Sequence, residues 1–275
     1  TLPSYPYFHM RIAKDSTYEA SLEYWSKLQE LMVMDASLLR YDEFRSFLVE
    51  AVSRVARKQY PESKSLDAVV RYVESEVKEP GIAEFLINKN VYAYVERYGL
   101  DSADAYCAVF DRYVKSPLLV KNFETLCNRW RKLSVGALSP NFNCTDLSGK
   151  KVSLSDFKGK YVYIDIWATW CGPCQSELAE VQKTLWPKYK DNKDFCMLVI
   201  GREHTDDQLT EYNKRKGFTF PLYPDPKREV TGKFASQYIP RSYLINKEGK
   251  VISATVGYKK EEMDKLMKEI DKALK

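Results

Sequence analysis

The stretch Trp170-Cys171-Gly172-Pro173-Cys174 constrains this chain more than any other. It follows the near-continuous apolar run Tyr161-Val162-Tyr163-Ile164-Asp165-Ile166-Trp167, which reads as a strand in the middle of a parallel sheet. It precedes Gln175-Ser176-Glu177-Leu178-Ala179-Glu180-Val181, a helix-forming run. A Cys-x-x-Cys between a buried strand and a helix can close a small disulfide ring and marks a redox centre. Cys171 falls at the helix N-terminus, where the dipole and free N–H groups favour thiolate over thiol. Exchange chemistry needs an exposed, ionisable sulfur, so Cys171 is expected to be exposed and to attack, and Cys174 to resolve. The alternatives are a metal pair or two structural cysteines. A zinc site takes about four ligands. The only histidines are His9 and His204, and no second Cys-x-x-Cys exists, so no metal is expected.

The rest of the composition sets outer limits. A chain of 275 residues suggests two domains or one large one. No apolar run approaches the roughly 20 residues of a membrane span. The segment up to Leu138 is charge-neutral, so the whole excess of +5 lies beyond it. No Lys/Arg cluster with interleaved aromatics points to nucleic acid. Six cysteines are too few for a disulfide scaffold. The first residue is Thr1, so a signal segment is not visible.

From about Ser16 to Leu133 the pattern is helical. Leu22, Trp25, Leu28, Leu31 and Met32 recur at three- and four-residue spacing, as do Phe44 to Val55 before Pro61. Leu66 to Val73 form a third stripe that ends near Pro80-Gly81, and Ile82 to Tyr98 a fourth, ended by Gly99. Asp101 or Ser102 can cap a fifth helix through Val114, and Ser116-Pro117 opens a sixth. Residues 1–134 are therefore expected to form an all-α domain, a candidate for partner binding or homodimerisation. Ser134 to Pro140 reads as a linker. Beyond it, strands are expected at Phe142–Thr145, Val152–Leu154, Tyr161–Trp167, Phe195–Ile200, Ser242–Ile245 and Val251–Val256. Helices are expected at Pro173–Lys190, Asp206–Lys216, Glu229–Ala235 and Lys259–Leu274. The order is βαβα then ββα, so parallel strands give way to an antiparallel hairpin.

Residues 139–275 resemble the α/β thioredoxin fold, a mixed sheet flanked by helices, and more narrowly the TlpA/ResA-type extracytoplasmic thiol-disulfide oxidoreductases. Five stretches in order carry the resemblance: Ser139-Pro140-Asn141-Phe142, Leu154 to Lys160, Trp167 to Cys174, Ile239 to Ile245, and Asn246 to Val251. The resemblance implies a periplasmic or outer-surface enzyme that reduces protein disulfides through Cys171–Cys174 and is reset by an upstream electron donor. It implies no cofactor beyond the cysteine pair. Gly172-Pro173 matches thioredoxin itself, which implies a reducing centre.

The resemblance also assigns roles. Asp165, in the apolar strand, corresponds to the buried acid that accepts the second cysteine's proton through water; burial is expected to raise its pKa. The alternative is a strand-end aspartate bonded to backbone. No clear equivalent of the lysine partner exists; Arg202 and Glu203 are guesses. Pro240 corresponds to the cis-proline facing the disulfide, with Ile239 offering its backbone to an extended client; the alternative is an ordinary trans proline. Trp170 is expected to shape the docking surface with Gly172 and Pro173, and Trp167 to be core. Cys144 and Cys196 are expected to be structural, Cys107 and Cys127 to be buried thiols, and His204 to be an exposed loop residue. Three other readings remain open: a disulfide isomerase, a peroxiredoxin-like peroxidase, suggested by Phe220 to Pro226 but lacking a Thr-x-x-Cys motif, and a client-binding or chaperone protein.

Overall fold

The computed structural model describes residues 21–234 and 237–274. His9, the helix start placed at Ser16, and Ala235 lie outside them. The chain divides into two compact units, Thr1–Tyr94 with Asp104–Asn122, and Val95–Ala103 with Phe123–Lys275.

The helices before the first strand are α1 (Leu22–Leu31), α2 (Asp42–Gln59), α3 (Ser65–Glu76), α4 (Pro80–Tyr98), α5 (Asp104–Tyr113) and α6 (Pro117–Arg131), with a 3-10 turn at Ala36–Arg40. Local chemistry sets their ends. α2 carries Asp42 and Glu43 in its first turn and Arg57 and Lys58 in its last, matching both ends of the helix dipole. Its buried face is Leu48, Ala51, Val52, Val55 and Ala56, at helical spacing. Pro80, read as a stop, instead opens α4: proline suits a first turn, and Glu79 Oε2 accepts the Ile82 N–H at 2.6 Å. Neither Asp101 nor Ser102 caps α5. Ser102 lies in a turn with φ 73°, and the helix starts at Asp104.

In the second unit, β1 (Asn143–Thr145) and β2 (Lys151–Ser153) form a separate antiparallel pair. The main sheet has β3 (Tyr161–Trp167), β4 (Phe195–Arg202), β5 (Leu222–Asp225), β6 (Arg241–Ile245) and β7 (Val251–Val256) in the order β5-β4-β3-β6-β7. β3 is central, parallel to β4 and antiparallel to β6. Burial on both sides explains its apolar run. Helices α7 (Gly172–Lys183), α8 (Leu185–Tyr189), α9 (Asp206–Lys216) and α10 (Lys260–Ala273) complete this thioredoxin-like domain. Tyr163, Trp167, Leu178, Val181, Leu209 and Leu266 belong to its core.

Three expectations change here. The single helix expected over Pro173–Lys190 is broken at Thr184, whose φ and ψ are −119° and −61°. Pro187 has no N–H to give residue 183 and its ring crowds that carbonyl. The helix expected at Glu229–Ala235 is a short 3-10 turn, Thr231–Phe234. The linker is tied down: Gly136 N–H donates to the Val251 carbonyl at 2.8 Å, Val251 N–H to that of Ala137 at 2.9 Å, and Ser139 N–H to that of Gly249 at 2.9 Å. This segment thus borders the β6–β7 hairpin.

Candidate active site

β3 ends at Trp167, and Ala168, Thr169 and Trp170 lead straight to Cys171, the N-cap residue of α7. Gly172 and Pro173 form the first turn, where a missing N–H costs nothing. Cys171 and Cys174 are joined in a disulfide with Cα atoms 5.2 Å apart. Cys171 Sγ accepts the Cys174 N–H at 3.2 Å, so the helix end points one of its free donors at this sulfur. The structure corrects the expectation of an exposed Cys171: it is 6% exposed and Cys174 0%. Of the two residues only Cys171 keeps any exposure, while Trp170 beside it is 64% exposed.

The loop before Cys171 is held from both sides. Gln175 Nε2 donates to the Thr169 carbonyl at 2.7 Å. On the other side stands His204, expected to be an exposed loop residue and found buried. Its Nδ1 is 2.5 Å from the Arg202 carbonyl and therefore carries the proton. Nε2 then accepts from the Thr169 hydroxyl at 2.7 Å and from the Thr169 N–H at 3.3 Å. Trp167 is core, stacked on His204 with ring centroids 6.2 Å apart. Neither role was legible from a single histidine after a strand. A groove of about 890 Å³ runs between this loop and α9, bordered by Trp170, His204 and Tyr212.

Asp165 is fully buried in β3, opposite Val199 on β4 and Ser242 on β6. Neither carboxylate oxygen has a hydrogen-bond partner among the described residues. Burial pushes its pKa up to about 7. The acid's partner is neither Arg202 nor Glu203. Arg202 reaches Glu203 at 3.4 Å and the Gln237 carbonyl at 3.3 Å. The carboxyl that feels the charge of Asp165 is Glu177, which sequence reading missed. Glu177 is 4% exposed, and the Tyr163 hydroxyl donates to its Oε1 at 3.4 Å. Burial first, then the Asp165 charge, raise its pKa well above the ordinary value. A signal existed: Cys174, Glu177, Leu178 and Val181 stand at i, i+3, i+4 and i+7, so Glu177 lies on the face of α7 that faces the core.

The Ile239–Pro240 bond is cis. Pro240 directly precedes Arg241, which pairs with Ile166 near the end of β3. Because β6 runs antiparallel to β3, Pro240 and the start of α7 lie at the same end of the sheet. Cys144 and Cys196 lie elsewhere, and burial pushes their thiols up to about 12 and about 11. Thiols so raised are inert near neutrality. Cys127 is buried and Cys107 half-buried.

The arrangement therefore supplies one sulfur at a helix N-terminus, a second buried behind it, and two buried carboxyls with raised pKa values. Such an arrangement can carry out thiol–disulfide exchange, with a buried carboxylate able to accept a proton from the buried sulfur.

Comparison with known proteins agrees. The AhpC/TSA family profile matches residues 135–254. ResA thiol-disulfide oxidoreductases are similar: that of Bacillus anthracis is 36% identical over 140 residues, 50% of this chain and 80% of the relative. ResA of Bacillus subtilis (strain 168) is 33% identical, over 48% of this chain and 72% of the relative. Among solved structures, a candidate protein disulfide isomerase from Bacteroides thetaiotaomicron shares 35% identity over 51% of this chain and 90% of its own, with TM-score 0.49. At 36% identity over 80% of the relative's length, the chain belongs to the ResA family of thiol-disulfide oxidoreductases.

Proposed function

We propose that this oxidoreductase works outside the cytoplasm as a protein-disulfide reductase. The observation that carries the reading is the disposition of the two sulfurs, with Cys171 at the helix N-terminus and Cys174 fully buried on the face of α7 that also carries Glu177. In the reduced enzyme the Cys171 thiolate attacks one sulfur of a client disulfide. A Cys171–client bond forms, the client S–S bond breaks, and one client thiolate leaves. Asp165, as carboxylate, takes the Cys174 proton, directly or through water. Cys174 then attacks Cys171 Sγ, the Cys171–Cys174 bond forms, and the second client thiolate leaves. The client gains two electrons and the enzyme ends oxidised. A dithiol donor reverses the last state, and the cycle needs no cofactor beyond the cysteines.

Glu177 serves this cycle as the second carboxyl. It borders a crevice of about 10 Å³ shared with Ser242, Thr255 and Tyr258, room for about one water. This supports Glu177 as the route by which the proton leaves. Ile239 and Pro240 supply the client-docking edge, and Trp170, Gly172 and Pro173 the surface around the disulfide.

Direction is tested by the reduction potential of Cys171–Cys174. A value near thioredoxin's, about −270 mV, supports a reductant, and one near about −120 mV means disulfide formation instead. Cys174→Ala should trap mixed disulfides with clients, whereas rapid peroxide consumption without a protein client would make the chain a peroxidase. Cell fractionation tests the compartment. Among the described residues no helix is long and apolar enough to cross a membrane.

A further inference from the structure

Arg241 is a buried cation without an acid. It follows Pro240 directly, is 2% exposed, and enters no ion pair among the described residues. A guanidinium in that position is costly unless other groups replace water. Four do. Its Nε donates to the Tyr238 carbonyl at 3.4 Å, its Nη2 donates to the Arg97 carbonyl, its Cζ lies 4.8 Å from the Trp130 ring centroid, and the Tyr243 side chain makes a further favourable contact. Arg97 is in the last turn of α4, where carbonyls lack helical partners and the dipole is negative. The arginine therefore serves as a C-terminal cap supplied from β6.

The surroundings are built to receive it. α4 is closed by the residue after it, Gly99, φ 83°, whose N–H donates to the Val95 carbonyl at 2.9 Å. A Cβ on Gly99 would stand 3.0 Å from Trp130 Cε3, so glycine lets the indole lie flat on the helix end. Trp130 is 2% exposed. The loop before Pro240 has two further cationic contacts: Arg202 Nη1 with the Gln237 carbonyl at 3.3 Å, and Arg97 with the Tyr238 ring at 5.3 Å. All these residues but Arg202 lie on the Val95–Ala103 and Trp130 stretches or beside Pro240, within the second unit.

We propose that Arg241 is a positioning residue: by joining the end of α4 and the face of Trp130 to the Tyr238 carbonyl, it fixes the 237–240 loop in the conformation that docks protein disulfide clients. The inference rests on the client-docking reading of Ile239 and Pro240. It gives the helical residues ahead of the thioredoxin-like domain a task, as the anchor for one wall of the site. Lysine cannot substitute, because a point charge offers neither the planar fork nor the stacking face.

The experiment compares wild type with Arg241→Lys on a large and a small disulfide. For insulin reduction, KM should rise about tenfold, the factor expected from about one lost charge-assisted bond, with kcat nearly unchanged. Reduction of DTNB, which needs no docked strand, should stay at the wild-type rate. Amide exchange at Tyr238 and Ile239 should quicken. Equal losses on insulin and DTNB, or no change in either, would overturn the proposal. Should Arg241→Lys fail to fold, Trp130→Leu removes the ring face while leaving both hydrogen bonds, and the same split is expected at smaller size. If wild type itself does not reduce insulin, the reductase reading fails. The loop's role then stands or falls on the exchange rates alone.

Discussion

Replacing Asp165 by asparagine isolates the cost of keeping a carboxyl inside the sheet. Folding raises its pKa from 3.8 to about 7, through burial. The sign follows from linkage. Below about pH 4 the carboxyl is neutral in both states and burial of the neutral acid carries no charge cost. As pH rises, the unfolded chain ionises first, and the folded state loses stability until Asp165 itself ionises near 7. A span of about 3 pH units at about 1.4 kcal/mol each gives about 4 kcal/mol. Asp165→Asn should therefore gain up to about 4 kcal/mol over wild type across this window. The buried amide has a desolvation cost of its own, but that cost is the same at every pH and moves only the offset. Urea unfolding of the oxidised protein at half-unit steps from pH 4 to 8.5 measures the difference. Parallel stability curves for the two proteins would refute the reasoning, because they would mean that Asp165 has the same proton affinity folded and unfolded. The same variant should slow reduction of insulin at neutral pH, so stability and activity move in opposite directions.

Other outcomes follow from the same contacts. In Asp165→Asn the remaining acid, Glu177, loses the second-largest cause of its upward shift, so its side-chain carboxyl should titrate at lower pH in a carbon NMR experiment. His204→Phe leaves the Thr169 hydroxyl and N–H without their acceptor, which should cost about 1–3 kcal/mol in denaturant unfolding and slow client reduction. Gly201→Ala brings a Cβ within 2.7 Å of Leu209 Cδ1, and the resulting shift of α9 from β4 should cost about 1–3 kcal/mol in thermal unfolding, with the disulfide potential unchanged.

The primary sequence was sufficient for everything governed by short-range pattern. The apolar run of β3, the Cys-Gly-Pro-Cys turn and the capping residues of α9 are neighbours in the chain, and neighbours determine periodicity and helix ends. Thr205 and Gln208 form a capping box at the start of α9, and Gly217 ends it in the left-handed region, matching Asp206–Lys216 as read. Where a proline acted in two ways, as at Pro80 and Pro187, the pattern alone gave the wrong boundary. What tertiary structure decided were the contacts between segments far apart in the chain. Glu177 feels the charge of Asp165 only because α7 packs it against β3. His204 becomes a pin for the active-site loop only because β4 ends beside Thr169. Arg241 finds the end of α4 across an interval of 144 residues. Local rules bound what each segment can form. The electrostatic environment of a side chain depends on which segments exclude water from it, and that is fixed only when the chain has closed on itself.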